Sequence, residues 1–336
     1  MKKICTIILA AGKGTRLKSD KPKVMHEILG LPLLLYPIRV AEAINSSVIA
    51  VIGHGREIVG PYLEGLSITS VVQDPPLGTG HAVLQTTGIL SEKDTDDIII
   101  IPGDMPLIEK RSIEGLIDSY HTTNADMGIL TARLPNPFGY GRIIRDKHGY
   151  VTSIIEEQET SDEQKLVNEI NTGVYILKKG FLLDAVKKIS PDNSKGEFYL
   201  TDIVSMANKA VSFEVSHYNE AHGINSRKQL AFASSVMQER INNALMLSGV
   251  GIIDPKTAWI SPLASISPDV DIWPNVHILG QTSIQSNVRI MPNSWICDSS
   301  IGNNCVIGQG SIINGVNIIT GGRISPYSIL DKNLPQ

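Results

Sequence analysis

The sequence predicts an α/β domain with a mixed, mostly parallel sheet, followed by a short β-helix. Two observations carry this prediction. Short apolar runs alternate with helical patterns up to about Asn225, and isoleucine recurs at a period of six after residue 250. Alternating strands and helices are typical of α/β folds, and a six-residue period is typical of a β-helix of hexapeptide repeats.

Composition limits the class of protein. A chain of 336 residues favours two domains. The apolar fraction of 42 % is ordinary for a globular protein, and the net charge of −4 argues against general binding to nucleic acid or membrane surfaces. Three cysteines without a CxxC pair indicate neither a disulfide framework nor a zinc site. The apolar run after Met1 is too short for a membrane span and lacks a cleavage site, so we expect a cytoplasmic protein without nucleic-acid or membrane partners.

The first part of the chain provides the α/β elements. Strands are predicted at residues 4–10, 48–53, 68–73, 98–102, 127–133 and 173–177, and helices at 33–44, 56–63, 79–90 and 112–120. Strands separated by helices imply right-handed crossovers, and ligands bind at the carboxyl ends of such strands. The segments LAAGKGTR, QDPPLGTGHA and PGDMPL each follow a strand directly. We therefore expect these three loops to converge on one crevice.

The second part has a different period. Residues 229–247 have helical spacing and predict a connecting helix. Beyond it, isoleucine occupies positions 260, 266, 272, 278, 284, 290, 296, 301, 307, 313, 318 and 324. At about three hexads per turn, this repeat supplies roughly four turns of a β-helix. The predicted organisation is an α/β domain at 1–227, a connecting helix at 228–250 and a β-helix at 251–336.

The loop LAAGKGTR has the composition of an anion site but matches neither the Walker A spacing nor the dinucleotide fingerprint. Between Lys13 and Lys23 there are five cations against one acid, in a chain of net negative charge. Gly12 and Gly14 let backbone N–H groups approach phosphate oxygens, and Arg16 can donate a forked pair of hydrogen bonds. A solvated basic loop stays an alternative.

Two polar residues stand at the ends of predicted strands. Asp104 follows an apolar strand, where its carboxylate suits Mg²⁺ ligation or, alternatively, a helix N-cap. Gln73 stands beside a glycine turn, and its amide could read the donor and acceptor edge of a pyrimidine, although solvation alone would also explain it. The nearby His26, His54 and His81 are expected to be structural rather than catalytic.

Several segments together resemble one enzyme family. LAAGKGTRLKSDKPKVMH, QDPPLGTGHA, PGDMPL, FGYGRI, TSDEQKLVNEINTGVYI, GEFYLTDI and GINSRKQL are similar, in this order, to the uridylyltransferase half of the bacterial bifunctional N-acetylglucosamine-1-phosphate uridylyltransferase/glucosamine-1-phosphate acetyltransferases. The resemblance extends to about Val250, and the isoleucine region resembles the start of that family's left-handed β-helix. It implies a Rossmann-like nucleotidyltransferase domain and assembly as a homotrimer.

The resemblance also implies a reaction and a cofactor. UTP and N-acetyl-α-D-glucosamine 1-phosphate would give UDP-N-acetylglucosamine and diphosphate by Mg²⁺-assisted in-line attack on the α-phosphorus. This is a UDP-N-acetylglucosamine diphosphorylase activity, which supplies peptidoglycan and lipopolysaccharide precursors.

The resemblance assigns roles residue by residue. The positions implied to contact the nucleotide, its phosphates or the metal are Leu9, Ala10, Ala11 and Gly12 for the nucleoside, Gln73, Gly78 and Thr79 for uracil, Arg16 and Lys23 as the catalytic phosphate ligands, and Asp104 and Asn225 for Mg²⁺. The positions implied for the sugar side are Gly141, Glu156 and Asn171, with Tyr199 and Thr201 nearby, and Pro102 and Gly103 in the adjoining wall. Pro102 departs from the tyrosine frequent in the family, so that wall would lose a side-chain contact.

Acetyl transfer, the second activity of the family, is expected to be absent. It depends on later β-helix turns with a histidine base, and after residue 250 this chain has only His277, which is expected at the surface. Two other functions stay open. The chain could be a uridylyl- or thymidylyltransferase for another sugar 1-phosphate, such as glucose 1-phosphate. It could also be a catalytically silent regulator that binds nucleotide sugars.

Overall fold

The computed structural model describes residues 2–193 and 195–333, which form two compact units. The first unit contains the residues up to His26 together with Pro32–Gln229. The second contains the short segment Glu27–Leu31 and the chain from Leu230 onward. Throughout the described residues, the helices lack the combination of length and apolar character that a membrane span requires.

The elements up to Leu247 are short and alternate along the chain. The strands are β1 (Ile4–Ala10), β2 (Glu27–Ile28), β3 (Leu31–Pro32), β4 (Ser47–Ile52), β5 (Thr69–Val72), β6 (Asp97–Pro102), β7 (Met127–Arg133), β8 (Arg142–Arg145), β9 (Val151–Ile155), β10 (Glu169–Lys178) and β11 (Ala210–Glu214). The helices are α1 (Leu35–Ala43), α2 (Arg56–Glu64), α3 (Thr79–Leu84), α4 (Thr87–Glu92), α5 (Lys110–Thr122), α6 (Asp162–Lys165), α7 (Lys179–Ala185) and α8 (Arg227–Leu247).

The first unit is built on one mixed sheet. Its strand order is β11-β7-β10-β6-β1-β4-β5, and the β8–β9 hairpin pairs with β10. Strands β6, β1, β4 and β5 are parallel, whereas β10 runs antiparallel to both β6 and β7. Ile8 packs into the core on one face and Ile7 into the core on the other, so the central strands are buried on both sides. This double burial explains their almost continuous apolar sequence and confirms the predicted fold class.

The parallel register brings the predicted loops to one edge. Leu9 pairs with both Val51 of β4 and Pro102 of β6, near the carboxyl ends of the three strands. Since these strands run in the same direction, the segments that follow them leave the sheet side by side. The candidate ligand-binding segments therefore share one edge of the sheet.

One predicted helix is wrong. Residues 79–90 were expected to form a single helix, but the chain forms α3 and α4 with a break at Gln85 and Thr86. The hydroxyl of the buried Thr86 donates a hydrogen bond to the Val83 carbonyl, 2.7 Å away. Such local bonds compete with the regular helical pattern, which the apolar spacing alone does not reveal. The short strands β8, β9 and β11 were also absent from the prediction.

The second unit consists mainly of very short strands. They are β12 (Gly251–Ile252), β13 (Trp259–Ile260), β14 (Ser265–Ile266), β15 (Asp271–Ile272), β16 (His277–Leu279), β17 (Ser283–Ile284), β18 (Arg289–Ile290), β19 (Trp295–Cys297), β20 (Ser300–Ile301), β21 (Val306–Ile307), β22 (Ile312–Asn314), β23 (Asn317–Ile318), β24 (Arg323–Ile324) and β25 (Ile329–Asp331).

These strands form three parallel sheets, as expected for a β-helix of hexapeptide repeats. Every third strand pairs, so Ile260 lies beside Ile278, Ile278 beside Ile296, and Ile296 beside Ile313. All twelve isoleucines of the predicted repeat lie on strands, and Ile278 and Ile296 are fully buried. The six-residue period of isoleucine therefore reflects stacked columns of isoleucine side chains. Each coil of the β-helix adds one layer to these columns.

The part of α8 within the second unit binds the first coil of the β-helix. The Gln238 side chain donates to the carbonyls of Lys256 and Ala258 at 3.0 and 2.9 Å. The buried Asn242 donates to Pro255 and again to Ala258, at 2.7 and 2.9 Å. Two side-chain amides thus satisfy carbonyl groups that have no preceding coil to pair with.

Candidate active site

A cavity of about 490 Å³ opens in the first unit at the carboxyl ends of β1 and β6. Most of the predicted site residues line it: Leu9, Ala10, Ala11, Gly12, Lys23, Gln73, Gly78, Thr79, Pro102, Asp104, Glu156 and Tyr199. A cleft of this size at this edge is the usual ligand position in parallel α/β sheets.

Backbone hydrogen bonds extend beyond the strands and hold the loops together. The Gly103 N–H donates to the Leu9 carbonyl at 2.8 Å, and the His54 N–H donates to the Ala11 carbonyl at 3.3 Å. The Gln73 N–H donates to the Ile52 carbonyl at 2.8 Å. Backbone pairing therefore continues from the sheet into this part of the cavity wall.

Three glycines in the loops around the cavity are glycine for different physical reasons. Gly78 has φ 109, and a Cβ there would lie 2.6 Å from the Phe198 carbonyl oxygen, so only glycine fits. Gly14 has φ 63, and its Cβ would lie 2.6 Å from the Cβ of Lys23. Gly12 is different, because a Cβ there would meet nothing within 4 Å. Its missing side chain leaves open space beside the cavity, where a ligand can approach the backbone.

Gln73 is buried and held by its own loop. Its Nε2 donates to the Gly78 carbonyl at 2.9 Å and lies 3.2 Å from Nδ1 of His81. The Thr79 hydroxyl accepts a hydrogen bond from the Leu200 N–H at 3.1 Å. These contacts make this wall of the cavity a preformed polar surface.

An ammonium group joins the two predicted metal ligands. Lys23 forms an ion pair with Asp104 and donates to Oδ1 of Asn225 at 2.6 Å. The side chains of Lys23 and Asp104 are only 12 % and 17 % exposed. The Ile224 N–H donates to the Asp104 carbonyl at 2.9 Å, which holds Asn225 in place. The oxygens of Asp104 and Asn225 thus converge on one cation.

The alternative role of Asp104 as a helix N-cap is wrong. The next helix, α5, begins at Lys110 and has Glu109 at its N-cap position. The carboxylate of Asp104 instead faces Lys23.

Arg16 lies at a second cavity, of about 400 Å³. This cavity is also lined by Asn225 and Phe138, and it shares Pro102 and Asp104 with the first. Arg16 is exposed on the short turn Thr15–Leu17. The structure therefore places the two predicted phosphate ligands, Arg16 and Lys23, at adjoining cavities with Asp104 between them.

Glu156 is a predicted sugar-side residue that lines the first cavity. Burial raises the pKa of its carboxyl group, and the Lys195 charge opposes this effect. The Thr201 hydroxyl lies 3.5 Å from Oε1 of Glu156. A partly desolvated carboxylate with few partners is suited to accept hydrogen bonds from a ligand that carries hydroxyl or amide groups.

Some predicted residues support the cavities without lining them. Among the described residues, neither cavity includes Gly103, Gly141, Asn171 or Thr201. The Asn171 N–H donates to the Gly141 carbonyl at 2.9 Å, and the Asn171 side chain donates to the Tyr175 hydroxyl at 2.7 Å. The register of β10 against β7 shifts between Asn171 and Tyr175, and this irregularity sets the local path of the strand.

Sequence reasoning missed several residues of the site. Lys195 and Glu197 line the first cavity, and a lysine in the run DNSKGEFYL was the available signal. Arg142 is 2 % exposed and pairs with Glu157 at 2.8 Å, and Glu157 also accepts from the Gly139 N–H at 2.9 Å. This ion pair of a buried arginine fixes the loop that carries Gly139 into the second cavity.

The described residues contain no cluster of three or more His, Cys, Asp or Glu side chains that could hold a metal ion. The paired oxygens of Asp104 and Asn225 are the oxygen donors that Mg²⁺ accepts when substrate phosphates and water complete its shell.

Comparison with known proteins identifies the type of domain. Residues 6–159 match the family of MobA-like NTP transferase domains. The bifunctional protein GlmU of Geobacter metallireducens is 43 % identical over 263 residues, which cover 76 % of this chain and 55 % of that protein. The GlmU proteins of Syntrophomonas wolfei and Streptococcus gordonii are 40 % and 42 % identical, over 77 % and 76 % of this chain and 58 % and 56 % of theirs.

Over about three quarters of its length, the chain is homologous to GlmU proteins. It carries a nucleotidyltransferase domain, and the cavities described above lie in the unit that contains this domain. The chain spans little more than half the length of these GlmU relatives.

The burial of Glu156 has a measurable consequence for stability. Its pKa is raised, so the folded state favours the protonated carboxyl, and stability falls as the pH rises through the raised value. Glu156→Gln does not titrate there. We expect its melting temperature to equal that of the parent at pH 4 and to exceed it by a few degrees at pH 8, in thermal scans at both pH values. Glu163→Gln, at an exposed position, is the control and should show no such difference. Equal melting temperatures for Glu156→Gln and the parent at pH 8 would contradict the desolvation of Glu156.

Proposed function

We propose that the chain transfers a uridylyl group from UTP to N-acetyl-α-D-glucosamine 1-phosphate. The products would be UDP-N-acetylglucosamine, for peptidoglycan and lipopolysaccharide precursors in the cytoplasm, and diphosphate. The observation that carries the proposal is the Lys23–Asp104–Asn225 centre, because Asp104 lines both the first cavity and the adjoining cavity that contains Arg16 and Asn225.

The lining of the first cavity supports the binding of both substrates. The first cavity offers a buried amide, Gln73, with Gly78 and Thr79 beside it, which suits a pyrimidine base. Glu156 and Tyr199 line the same cavity, and Glu156 can accept hydrogen bonds from a sugar or its acetamido group. The choice of N-acetylglucosamine rests on the similarity of the Glu156 and Asn171 segments to the GlmU-type enzymes.

Catalysis of this reaction requires that the protein position the two substrates and supply positive charge. A phosphate oxygen of the sugar 1-phosphate forms a bond to the α-phosphorus of UTP, and the bond from that phosphorus to the diphosphate oxygen breaks. The attacking oxygen is already ionised, so no general base is needed. Both reactants are anions, and Arg16 and Lys23 would reduce their repulsion and stabilise the charge on the departing diphosphate.

The residues also fit a magnesium ion. The carboxylate of Asp104 and the amide oxygen of Asn225 already bind one cation, the ammonium of Lys23. Asp104 and Asn225 would hold Mg²⁺, which would supply further charge neutralisation. Lys23 would then have to leave Asp104, and its released ammonium is free to bind a phosphate oxygen. In this proposal Lys23 holds the metal ligands together until nucleotide and metal arrive.

An assay of product formation tests the proposed reaction. With UTP, N-acetylglucosamine 1-phosphate and Mg²⁺, we expect diphosphate release and UDP-N-acetylglucosamine by chromatography. Asp104→Ala should lower kcat/KM by about a hundredfold or more, since it removes the carboxylate of the centre. Asp20→Ala, on the exposed part of the basic loop, is the control and should retain activity. A preference for glucose 1-phosphate would assign another sugar, and parent activity no higher than that of Asp104→Ala would indicate a silent regulator.

Metal binding without nucleotide tests the role of Lys23. If its ammonium competes with the metal for Asp104 and Asn225, Lys23→Met should bind Mn²⁺ about tenfold more tightly than the parent, because a like charge leaves the site. Titration followed by electron paramagnetic resonance of free Mn²⁺ measures this affinity. Lys18→Met removes the same charge from an exposed position of the same loop and should leave the affinity nearly unchanged. Unchanged or weaker Mn²⁺ binding in Lys23→Met would contradict the competition.

The β-helix unit is proposed to assemble the chain as a homotrimer, as the family resemblance implies. One of its sheets carries an outward column in register, formed by Trp259, His277, Trp295, Ile312 and Ile329. Ile312 and Ile329 are 40 % and 59 % exposed, and an exposed apolar column of this kind is typical of an interface.

Sedimentation velocity tests the assembly. We expect three times the chain mass for the parent and the mass of a single chain for the double variant Ile312→Glu, Ile329→Glu, because two charges would be buried in the interface. Ser283→Glu, on another sheet, is the control and should stay trimeric. A monomeric parent, or a double variant that stays trimeric, would contradict the proposal.

A further inference from the structure

Three side chains, Gln73, His81 and Gln85, are in contact next to the proposed base-binding part of the first cavity. His81, in α3, lies between two amides, with Nδ1 3.2 Å from Nε2 of Gln73 and Nε2 3.0 Å from the amide of Gln85. We propose that His81 is a positioning residue that fixes the orientation of the Gln73 amide and thereby sets the preference for uracil over cytosine. This inference rests on the proposed function, in which Gln73 meets the base.

The orientation of Gln73 follows from its other contact. The atom of its amide that faces the Gly78 carbonyl lies 2.9 Å from that oxygen. The nitrogen and oxygen of an amide have nearly the same shape, but a carbonyl oxygen can only accept a hydrogen bond. The Gln73 atom that faces the Gly78 carbonyl must therefore be the amide nitrogen. Gly78 is itself fixed, since its backbone is packed against Phe198. One hydrogen of the Gln73 NH₂ group is therefore committed to the backbone.

The second hydrogen of the same NH₂ group determines the state of His81. It faces Nδ1, which must accept it and so carries no proton in the neutral ring. The proton of the neutral ring is then on Nε2, 3.0 Å from the Gln85 amide nitrogen, which also donates to the His81 carbonyl at 3.2 Å. To accept this proton, the Gln85 amide turns its oxygen to the ring and gives up its bond to that carbonyl. The two contacts of the Gln73 nitrogen, with the Gly78 carbonyl and with Nδ1 of His81, thus hold the Gln73 amide in one orientation.

The remaining polar atom of Gln73 is its oxygen. It has no hydrogen-bond partner among the described residues, and the side chain lines the first cavity. An acceptor at this position complements the N3–H group of uracil. Cytosine has an unprotonated N3, which would face the oxygen lone pairs without a hydrogen between them. Turning the amide would suit cytosine, but it would place the single amide oxygen against two acceptors, the Gly78 carbonyl oxygen and Nδ1 of His81.

Two matched substitutions of His81 separate this role from simple packing. Leu and Asn have nearly the same shape, and the side-chain oxygen of Asn can accept close to the position of Nδ1. His81→Leu removes the acceptor, and His81→Asn retains one. The measurements are the affinities of Mg²⁺-UTP and Mg²⁺-CTP by calorimetry, and kcat/KM for both nucleotides with N-acetylglucosamine 1-phosphate.

We expect the parent and His81→Asn to prefer UTP to CTP to a similar degree. His81→Leu should lower the UTP-to-CTP ratio of affinities about three- to tenfold, the effect of one hydrogen bond, with UTP binding weakened and CTP binding unchanged or improved. A purely structural role would weaken both nucleotides in parallel and leave the ratio constant. A constant ratio in His81→Leu, or an equal loss of ratio in His81→Asn, would overturn the inference.

The same data separate this inference from the proposed function. A parent that prefers UTP, but whose preference survives in His81→Leu, refutes the role of His81 and leaves the uridylyltransferase proposal intact. A parent that binds UTP preferentially without forming product refutes the proposed reaction, and the affinity ratios still decide the role of His81. A parent that does not discriminate between UTP and CTP refutes both.

Discussion

The ion pair of Lys23 with Asp104, extended to Asn225, is the interaction on which the proposed active site depends. It joins a turn near the start of the chain, the end of β6 and a segment 202 residues beyond Lys23. Because the carboxylate and the ammonium are both mostly removed from solvent, each needs the other, and loss of either would leave an uncompensated charge. The centre therefore gathers three distant segments at the carboxyl edge of the sheet and keeps two oxygen ligands together in advance of a substrate.

Much of the fold could be predicted because burial dominates its sequence. Strands β1 and β7 have the predicted bounds, since both are apolar on two faces, and the isoleucine period follows directly from the stacking of coils. The break at Thr86 could not be predicted, because it depends on a hydroxyl that bonds to the preceding turn rather than to water. The hairpin β8–β9 was missed for a related reason, because its pairing is decided by contacts with β10 and not by its own short, mixed sequence.

Site residues could be predicted where a polar side chain directly follows an apolar strand. Asp104 at the end of a buried strand and Gln73 beside a glycine turn were both visible in this way, and Asn225 came only from the family resemblance. The pairing of Lys23 with Asp104 could not be predicted from the sequence, because the basic loop contains five cations and the sequence does not indicate which of them contacts Asp104. Arg142 was overlooked because its burial and its ion pair with Glu157 become evident only in the folded structure.

The side-chain amides of Gln238 and Asn242 have a consequence for the solution behaviour of the β-helix. A stack of parallel coils ends in a row of free carbonyl and N–H groups that could template another stack, in the manner of a growing fibril. Near the first coil, these two amides occupy the carbonyls of Pro255, Lys256 and Ala258. The residues that attach α8 to the solenoid thereby make these three carbonyls unavailable for head-to-tail pairing with another stack.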